Sequence, residues 1–508
     1  MRLEETRSDQ GAAETVFQRG DAMRVIAMAT VVLAVLVFLA PVVMQDPFIR
    51  SDDYSQLLGE ADRFWLKTLE EGRWVSWLWT LRPVLFDPIV IMVLFLSFWS
   101  LTAAATAWLV FRDDERLWRA VVFSVLIGIA PTMAYFSTWP ATGVPSMAVL
   151  AAFAVFAAMR PGRAAVRAFW VFVPLGLMTY TSAPFAMLLI AAISFRGNVN
   201  WRDAAWTGGI FVAAFGLGVL LIFTLNWLVH GVFGVPIAEW REASPLEDLQ
   251  SLIVNLGLAF DWLVRDLRTM GLTAPLWTVS MLVLFAVAMV GVLPPKHGRG
   301  RLFAFVVLLV VAMAVAMVVR TGVVAAFRSS LFLYLAIILT FALAARQSNG
   351  IGRGLWVLVA AVTALPGALH WIVLFAPLSA AQAESRAIAA ALNEAGAKEA
   401  PIIHIVGDPQ ATPYGGAAQG PEQLGYRVFR LTGRPVRLCL PEEPACAVAF
   451  DVAGSTPVWP MPGSIRALPD GALLLHLPRL GADADVHRLP VWTVHWTEDG
   501  GQGRARPE

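Results

Sequence analysis

Charged residues are scarce in this chain. They make up 15% of its 508 residues, and hydrophobic residues make up 58%, whereas about a quarter of an ordinary soluble domain is charged. The charges are also clustered, which leaves long apolar runs at 25–43, 88–111, 207–229 and 302–319. Uncharged apolar runs of about 18 residues or more are typical of transmembrane helices. Several such runs in one chain argue against a soluble protein. A formal net charge of +1 gives no electrostatic field that would attract nucleic acid.

Cysteine is also nearly absent. The only two cysteines, Cys439 and Cys446, lie in the last quarter of the chain, and two thiols are too few for a four-ligand zinc site. Their spacing suits a disulfide that closes a small loop in an oxidising compartment. Two separate thiols stay open as the alternative.

Several catalytic motifs do not occur. The sequence has no glycine-rich phosphate-binding loop, no His-Glu-x-x-His motif and no Gly-x-Ser-x-Gly motif. No cytoplasmic catalytic domain is recognisable either, and this disfavours an enzyme that uses nucleotide sugars.

The apolar runs predict an α-helical polytopic membrane protein with about eleven transmembrane helices. The predicted spans are 24–43, 88–111, 120–138, 146–159, 168–181, 183–195, 204–229, 275–293, 302–319, 331–345 and 355–377. The apolar stretch after Arg24 is too long for the core of a signal peptide, so it is interpreted as a retained first span. The segment 168–195 is interpreted as a hairpin of two short helices that turns near Pro184.

The distribution of arginine and lysine predicts the orientation of these spans. The N-terminal arm, residues 1–23, contains Arg2, Arg7 and Arg19 and is followed by Arg24, which predicts a cytoplasmic N-terminus. Five further loops that contain arginine or lysine then lie on the cytoplasmic side, at 112–119, 160–167, 196–202, 296–301 and 346–353. The links 139–145 and 181–183 on the opposite side contain neither arginine nor lysine.

Three segments are predicted on the side opposite the N-terminus. The first is the long, charged loop 44–87, and the second is the loop 230–274, whose stretch 246–267 has the spacing of an amphipathic interfacial helix. The third is the tail, 379–508, which is predicted to be a soluble α/β domain that begins with a helix at 380–395.

The first loop contains the candidate chemistry. Its sequence Arg50-Ser51-Asp52-Asp53-Tyr54 precedes a predicted helix, 55–71, and then Gly72-Arg73-Trp74. One carboxylate of the pair could act as a general base, and the other could orient an arginine, a sugar hydroxyl or a divalent cation. The alternative is that the pair only caps a helix.

These motifs resemble those of the C-type integral membrane glycosyltransferases. The sequence Ser51-Asp52-Asp53-Tyr54, followed by Glu71-Gly72-Arg73-Trp74, is most similar to the bacterial O-antigen glucosyltransferase group. The helical hairpin at Tyr180 is similar to a Tyr-Gln hairpin of that group, although Thr181 replaces the glutamine. The resemblance covers the layout of residues 24–378, which would form a transmembrane domain of the C-type fold, and it does not account for the tail.

The resemblance implies transfer of a sugar from a polyprenyl-phosphate donor to a glycan or glycolipid acceptor. The reaction would take place at the periplasmic face of a bacterial inner membrane, and the C-terminal domain would lie in the periplasm. Asp52 or Asp53 matches the position of the base in the family, with Asp53 preferred. Further residues are candidates for binding substrate: Arg50, Tyr54, Trp74, Tyr180, Glu239 and Arg241. No cofactor or metal site is implied, and a divalent cation stays an open alternative.

A lipid-phosphate leaving group needs fixed positive charge, and arginine suits phosphate oxygens because its planar guanidinium stays charged. The candidates for this role are Arg320, Arg328, Arg73 and Arg82. Arg320 and Arg328 flank a short loop on the side where positive charge is disfavoured, which suggests a bound anion. The alternative is that these side chains extend to lipid headgroups.

Two other functions stay open. A transporter or flippase would be expected to have ionisable residues within its spans and internal repeats, and neither is evident here. A polysaccharide polymerase or ligase also uses polyprenyl carriers, but such enzymes typically depend on a large late loop rather than on an acidic first loop.

Overall fold

The computed structural model describes residues 19–50, 53–114, 116–196, 199–238, 241, 243–292, 298–407, 422–439, 443–453 and 464–477. Seven helices in these ranges are long and apolar enough to cross a membrane. They are Arg19–Leu39, Pro88–Phe111, Pro140–Met159, Trp201–His230, Pro275–Val292, Gly298–Thr321 and Gly350–Glu394. The chain is therefore a polytopic helical protein, as its composition predicts.

Shorter helices complete the bundle. They are Leu117–Gly128, Pro131–Phe136, Arg163–Arg167, Phe169–Leu177, Ala183–Ser194 and Leu331–Gln347. All twelve residues of Ala183–Ser194 are buried, so this helix lies in the interior of the bundle. Each of the eleven predicted spans coincides with an apolar helix or helix pair, but only seven helices in the described ranges have spanning length, and a count of eleven membrane crossings stays a prediction.

One predicted span, 120–138, differs from the structure, and the predicted hairpin at 168–195 agrees with it. The span 120–138 is two helices, because Ala130 is non-helical before Pro131, which begins the second helix. The segment 168–195 contains two helices, as predicted, which are separated by a turn between Leu177 and Ala183. In that turn the backbone N–H of Tyr180 donates to the carbonyl of Gly176.

The first loop is largely helical. Its helices are Val42–Gln45, Tyr54–Leu57, Ala61–Glu71 and Trp74–Thr80. The predicted helix 55–71 is interrupted at Gly59, whose φ of 71° belongs to the left-handed region that glycine favours. Gly72 ends the next helix at φ 68°, and a Cβ there would lie 2.7 Å from a methyl carbon of Ile222. Gly72 is therefore required both by the backbone turn and by the close packing.

The second long loop contains the amphipathic helix Leu249–Met270. Asp248 and Ser251 form a reciprocal capping box at its start, which explains why it begins after the predicted position of 246. Its buried stripe consists of Asn255, Ala259, Trp262, Asp266 and Met270. Two polar residues on a buried stripe must find partners within the protein.

The C-terminal helix and the tail are continuous. Helix Gly350–Glu394 is 45 residues long, so the predicted boundary at 379 falls within it. The elements that follow are β1 (Ile403–Val406), helix Glu422–Thr432, β2 (Val436–Leu438), helix Ala447–Ala453, β3 (Ile465–Ala467) and β4 (Leu473–His476). The strands form one sheet in the order β2-β1-β4-β3, in which β1 is parallel to β2 and β4, and β3 is antiparallel to β4. This is a small α/β domain, and Cys439 and Cys446 form a disulfide beside it.

Candidate functional site

Asp53 lies at the beginning of helix Pro140–Met159 and is completely buried. Its two carboxylate oxygens accept hydrogen bonds from the backbone N–H groups of Ala141 (2.8 Å) and Thr142 (2.6 Å). Asp53 therefore caps a helix, but one that is distant in sequence rather than the helix that follows it. Both carboxylate oxygens already accept hydrogen bonds from this helix, which weakens the case for Asp53 as the general base. Asp52 lies outside the described residues.

Two arginines meet at the tryptophan that precedes this helix. The guanidinium carbon of Arg328 lies 3.9 Å from the centre of the Trp139 ring, and that of Arg50 lies 5.1 Å from the same ring. The backbone N–H of Arg50 also donates to the carbonyl of Thr138 at 3.0 Å. We call Arg50, Trp139 and Arg328 the arginine–tryptophan cluster. A π face attracts a cation but does not neutralise it, so the contact with Trp139 by itself leaves the charge of each guanidinium in place.

Arg328 makes no ion pair and no side-chain hydrogen bond with any residue that the structure describes; its side chain is half-buried against Trp139. A guanidinium has five N–H donors, and here they are directed neither to a carboxylate nor to a carbonyl within the described ranges. This arginine is therefore available to an anion from outside the protein.

Tyr180 lies beside the cluster. Its hydroxyl is 2.9 Å from Oγ of Ser329, the residue after Arg328. The guanidinium of Arg73 lies 5.2 Å from the centre of the Tyr180 ring. The structure thus brings together four of the predicted site residues, from the first loop, the helical hairpin and the loop after Gly298–Thr321.

Arg73 and Arg241 share one carboxylate. The side chain of Glu71 lies 2.5 Å from Arg73 and 3.2 Å from Arg241, and it is nearly buried. Part of the positive charge at this position is therefore neutralised within the protein. Glu239, predicted to bind substrate together with Arg241, lies outside the described residues.

The remaining predicted phosphate ligands have different environments. Arg82 donates to the carbonyls of Gln56 (2.7 Å) and Trp79 (3.0 Å), so its guanidinium joins two helices of the first loop. Burial lowers the pKa of Arg82, and the nearby Asp53 opposes this effect. Arg320 is exposed at the end of its helix and shares no contact with the arginine–tryptophan cluster within the described ranges.

Tyr54 and Trp74 are buried structural residues. Tyr54 stacks on Tyr426 of the C-terminal domain, with ring centres 4.9 Å apart. The indole N–H of Trp74 donates to Oδ1 of Asn226 at 2.9 Å, and the amide of Asn226 donates to the carbonyls of Leu69 and Gly234. These contacts hold the first loop against neighbouring elements and leave neither ring facing an open surface.

The Trp74–Asn226 hydrogen bond gives a stability prediction. Replacing Trp74 with phenylalanine is expected to lower the free energy of unfolding by about 1–2 kcal/mol, because Oδ1 of Asn226 loses its donor in a buried position. The matched control is Trp77→Phe, since the indole N–H of Trp77 is buried without a hydrogen-bond partner in the described part of the chain. Denaturant titration in detergent measures the free energy of unfolding of both variants. Equal losses for the two variants would contradict the role given to Asn226.

Sequence reasoning missed Asp266. It is completely buried, accepts hydrogen bonds from Arg265 at 2.9 and 3.0 Å, and accepts another from the hydroxyl of Ser330. Burial raises the pKa of Asp266, and the bonds from Ser330 and Arg265 oppose this effect. The signal that could have found it is an aspartate on the apolar stripe of an amphipathic helix. Through Ser330, Asp266 supports the loop that contains Arg328.

Asp46 is the second residue that sequence reasoning missed. Its carboxylate accepts from Arg427 at 2.6 Å and Arg430 at 3.3 Å, and it also pairs with Arg386. Burial alone would raise the pKa of Asp46, but the hydrogen bonds and charges of these arginines hold it below its usual value. Asp46 is therefore ionised at neutral pH, and it binds arginines of the long helix and of the C-terminal domain.

One group of three metal-ligating side chains occurs in the described ranges: His404, Cys439 and Cys446. The two sulfurs are joined in the disulfide and cannot bind a cation as thiolates. The imidazole of His404 instead lies 3.2 Å from the sulfur of Cys439.

Comparison with known proteins gives no family for this chain. A scan against protein-family models finds no match, and neither does a search of curated proteins.

Proposed function

We propose that this protein is a membrane glycosyltransferase that moves a sugar from a polyprenyl-phosphate donor to a glycan or glycolipid acceptor. The observation that supports this most strongly is the arginine–tryptophan cluster, which lies next to the loop that contains Asp52 and Asp53. Arg328 has no acidic partner among the described residues, and its positive charge suits the phosphate of the donor.

The chemistry requires stabilisation of a departing lipid phosphate. As the bond between the anomeric carbon and the phosphate oxygen breaks, negative charge grows on that oxygen. The guanidinium of Arg328, together with Arg50 across Trp139, would stabilise this charge. Trp139 holds both cations in fixed positions before the donor binds.

The acceptor hydroxyl needs a general base, and we assign this role to Asp52. The oxygen of the hydroxyl attacks the anomeric carbon while its proton passes to the carboxylate, and polyprenyl phosphate leaves with the electron pair of the broken bond. The assignment favours Asp52 over Asp53 because both oxygens of Asp53 hold backbone N–H groups.

The contacts of the C-terminal domain support a location. Tyr54 of the first loop stacks on Tyr426, so the first loop and this domain belong on the same side of the membrane. The arginines of the loops 112–119, 160–167 and 346–353 support a cytoplasmic position for the other side. We therefore place the site and the C-terminal domain in the periplasm of a bacterial inner membrane.

Binding of the carrier lipid tests the proposal without knowledge of the sugar. The full chain in detergent is expected to show a higher Tm with short-chain polyprenyl phosphate and little change with the matching polyprenol, because only the phosphate reaches the arginines. Transfer is then measured with polyprenyl-phosphate hexoses, as release of polyprenyl phosphate. Equal shifts with the phosphate and the alcohol, or no release with any donor, would refute the proposed function.

A further inference from the structure

The C-terminal domain contacts the acid-bearing loop on both sides of its aspartates. Before them, the carboxylate of Asp46 pairs with Arg427, and the amide of Gln423 donates to the carbonyl of Ile49 at 2.9 Å. After them, the ring of Tyr54 stacks on Tyr426 at 4.9 Å with an angle of 7° between the planes. The segment between these contacts contains Arg50, Asp52 and Asp53.

The contact at Asp46 is the strongest of the set. Asp46 is only 7% exposed, and a buried carboxylate is tolerated only when it is paired and hydrogen-bonded. Three arginines satisfy it, and the side chain of Arg427 is itself buried. The side-chain amide of Gln382 also donates to the backbone carbonyl of Asp46. The side chain and the backbone carbonyl of Asp46 are thus both held by hydrogen bonds from the end of the chain.

The helix that leaves the bundle contributes to the same contact. Gln382 and Arg386 lie on helix Gly350–Glu394, which runs without interruption from the apolar bundle into the C-terminal domain. Arg427 and Arg430 lie on helix Glu422–Thr432 of that domain. Two elements from the end of the chain therefore bind one residue near its beginning.

We infer that the C-terminal domain is a positioning element, and that through Asp46 it holds the described residues 46–50 and 53–54 in their active geometry. This inference rests on the proposed function, because the active geometry is the one in which the protein transfers sugar. A general base must lie within about 3 Å of the proton that it accepts. A displacement of about 1 Å in such a site can cost about 10²-fold in rate. Asp46 itself would touch neither donor nor acceptor.

The test compares Asp46→Asn with Asp46→Glu and with a matched control. The control is Asp113→Asn, since Asp113 also has three arginine neighbours, Arg112, Arg196 and Arg346, but is half-exposed at the far end of helix Pro88–Phe111. Amide hydrogen exchange of the segment 46–60 is expected to rise at least tenfold in Asp46→Asn and to stay unchanged in Asp113→Asn. Asp46→Glu, which keeps the charge, is expected to restore much of the protection.

The kinetic readout separates positioning from general stability. The kcat of Asp46→Asn is expected to fall by about 10- to 100-fold, and that of Asp113→Asn to stay within about twofold. If Asp46→Asn does not fold, Gln423→Ala removes the contact with Ile49 without changing any charge. Unchanged exchange in the segment 46–60 would overturn the inference even if the protein transfers sugar. Raised exchange in a protein that transfers no sugar would support the docking role and refute only the proposed function.

Discussion

Replacing Arg328 with glutamine is expected to lower sugar transfer by about 10²- to 10³-fold, the usual effect of removing one fixed donor from a developing negative charge. The fold is expected to survive, because the side chain of Arg328 makes no ion pair or hydrogen bond within the described residues, and only its contact with Trp139 is lost. Arg328→Lys is expected to recover part of the activity, since lysine keeps the charge but not the planar fork.

The matched control is Arg320→Gln. Arg320 precedes the same short loop, is exposed, and has no contact with Trp139 in the structure. Transfer is measured as release of polyprenyl phosphate, and affinity as the dependence of Tm on the concentration of polyprenyl phosphate. We expect the affinity to fall for Arg328→Gln and to change by less than about threefold for Arg320→Gln, since an exposed cation is screened by solvent and salt. Equal losses for both variants would show that the cluster has no special role.

Asp52→Asn and Asp53→Ala are expected to fail for different reasons. Asp52→Asn should lower transfer by about 10²- to 10⁴-fold, the usual contribution of a general base, without a change in stability. Asp53→Ala leaves the buried N–H groups of Ala141 and Thr142 without their acceptor. It should lower the free energy of unfolding by about 1–3 kcal/mol.

Two measurements on the same preparations separate these effects. Denaturant titration in detergent gives the free energy of unfolding, and single-turnover assays at saturating donor give the chemical step. Asp53→Asn is informative as a third variant, because its amide oxygen can still accept one of the two N–H groups. A fully active and normally stable Asp52→Asn would exclude Asp52 as the base. A fully stable Asp53→Ala would remove the capping role.

The candidate site could be predicted from the sequence only in part. Arg50, Tyr180 and Arg328 have the residue types that phosphate and sugar binding need, and all three lie around Trp139 and Ser329. Tyr54 and Trp74 have equally suitable types, yet both are buried in structural contacts. Residue type and local spacing do not distinguish a side chain that faces a ligand from one that faces the interior.

The sequence by itself determined where this chain is helical and apolar. Lipid-facing and interior surfaces both require apolar side chains, and local sterics at Ala130-Pro131 disfavour helix at the residue before the proline. Two short helices in place of one long span at 168–195 follow from the same local rules.

Only the tertiary structure decided which polar groups are satisfied within the protein. Asp53 finds its partners in a helix that begins 87 residues later, at Pro140, and Asp46 finds its partners in the last quarter of the chain. A buried carboxylate needs hydrogen-bond donors, but the local sequence does not indicate which residues will donate to it. The sequence predicted the acid-bearing loop as a candidate site. It could not predict that this loop contacts the C-terminal domain, because that contact depends on packing between segments that are distant in sequence.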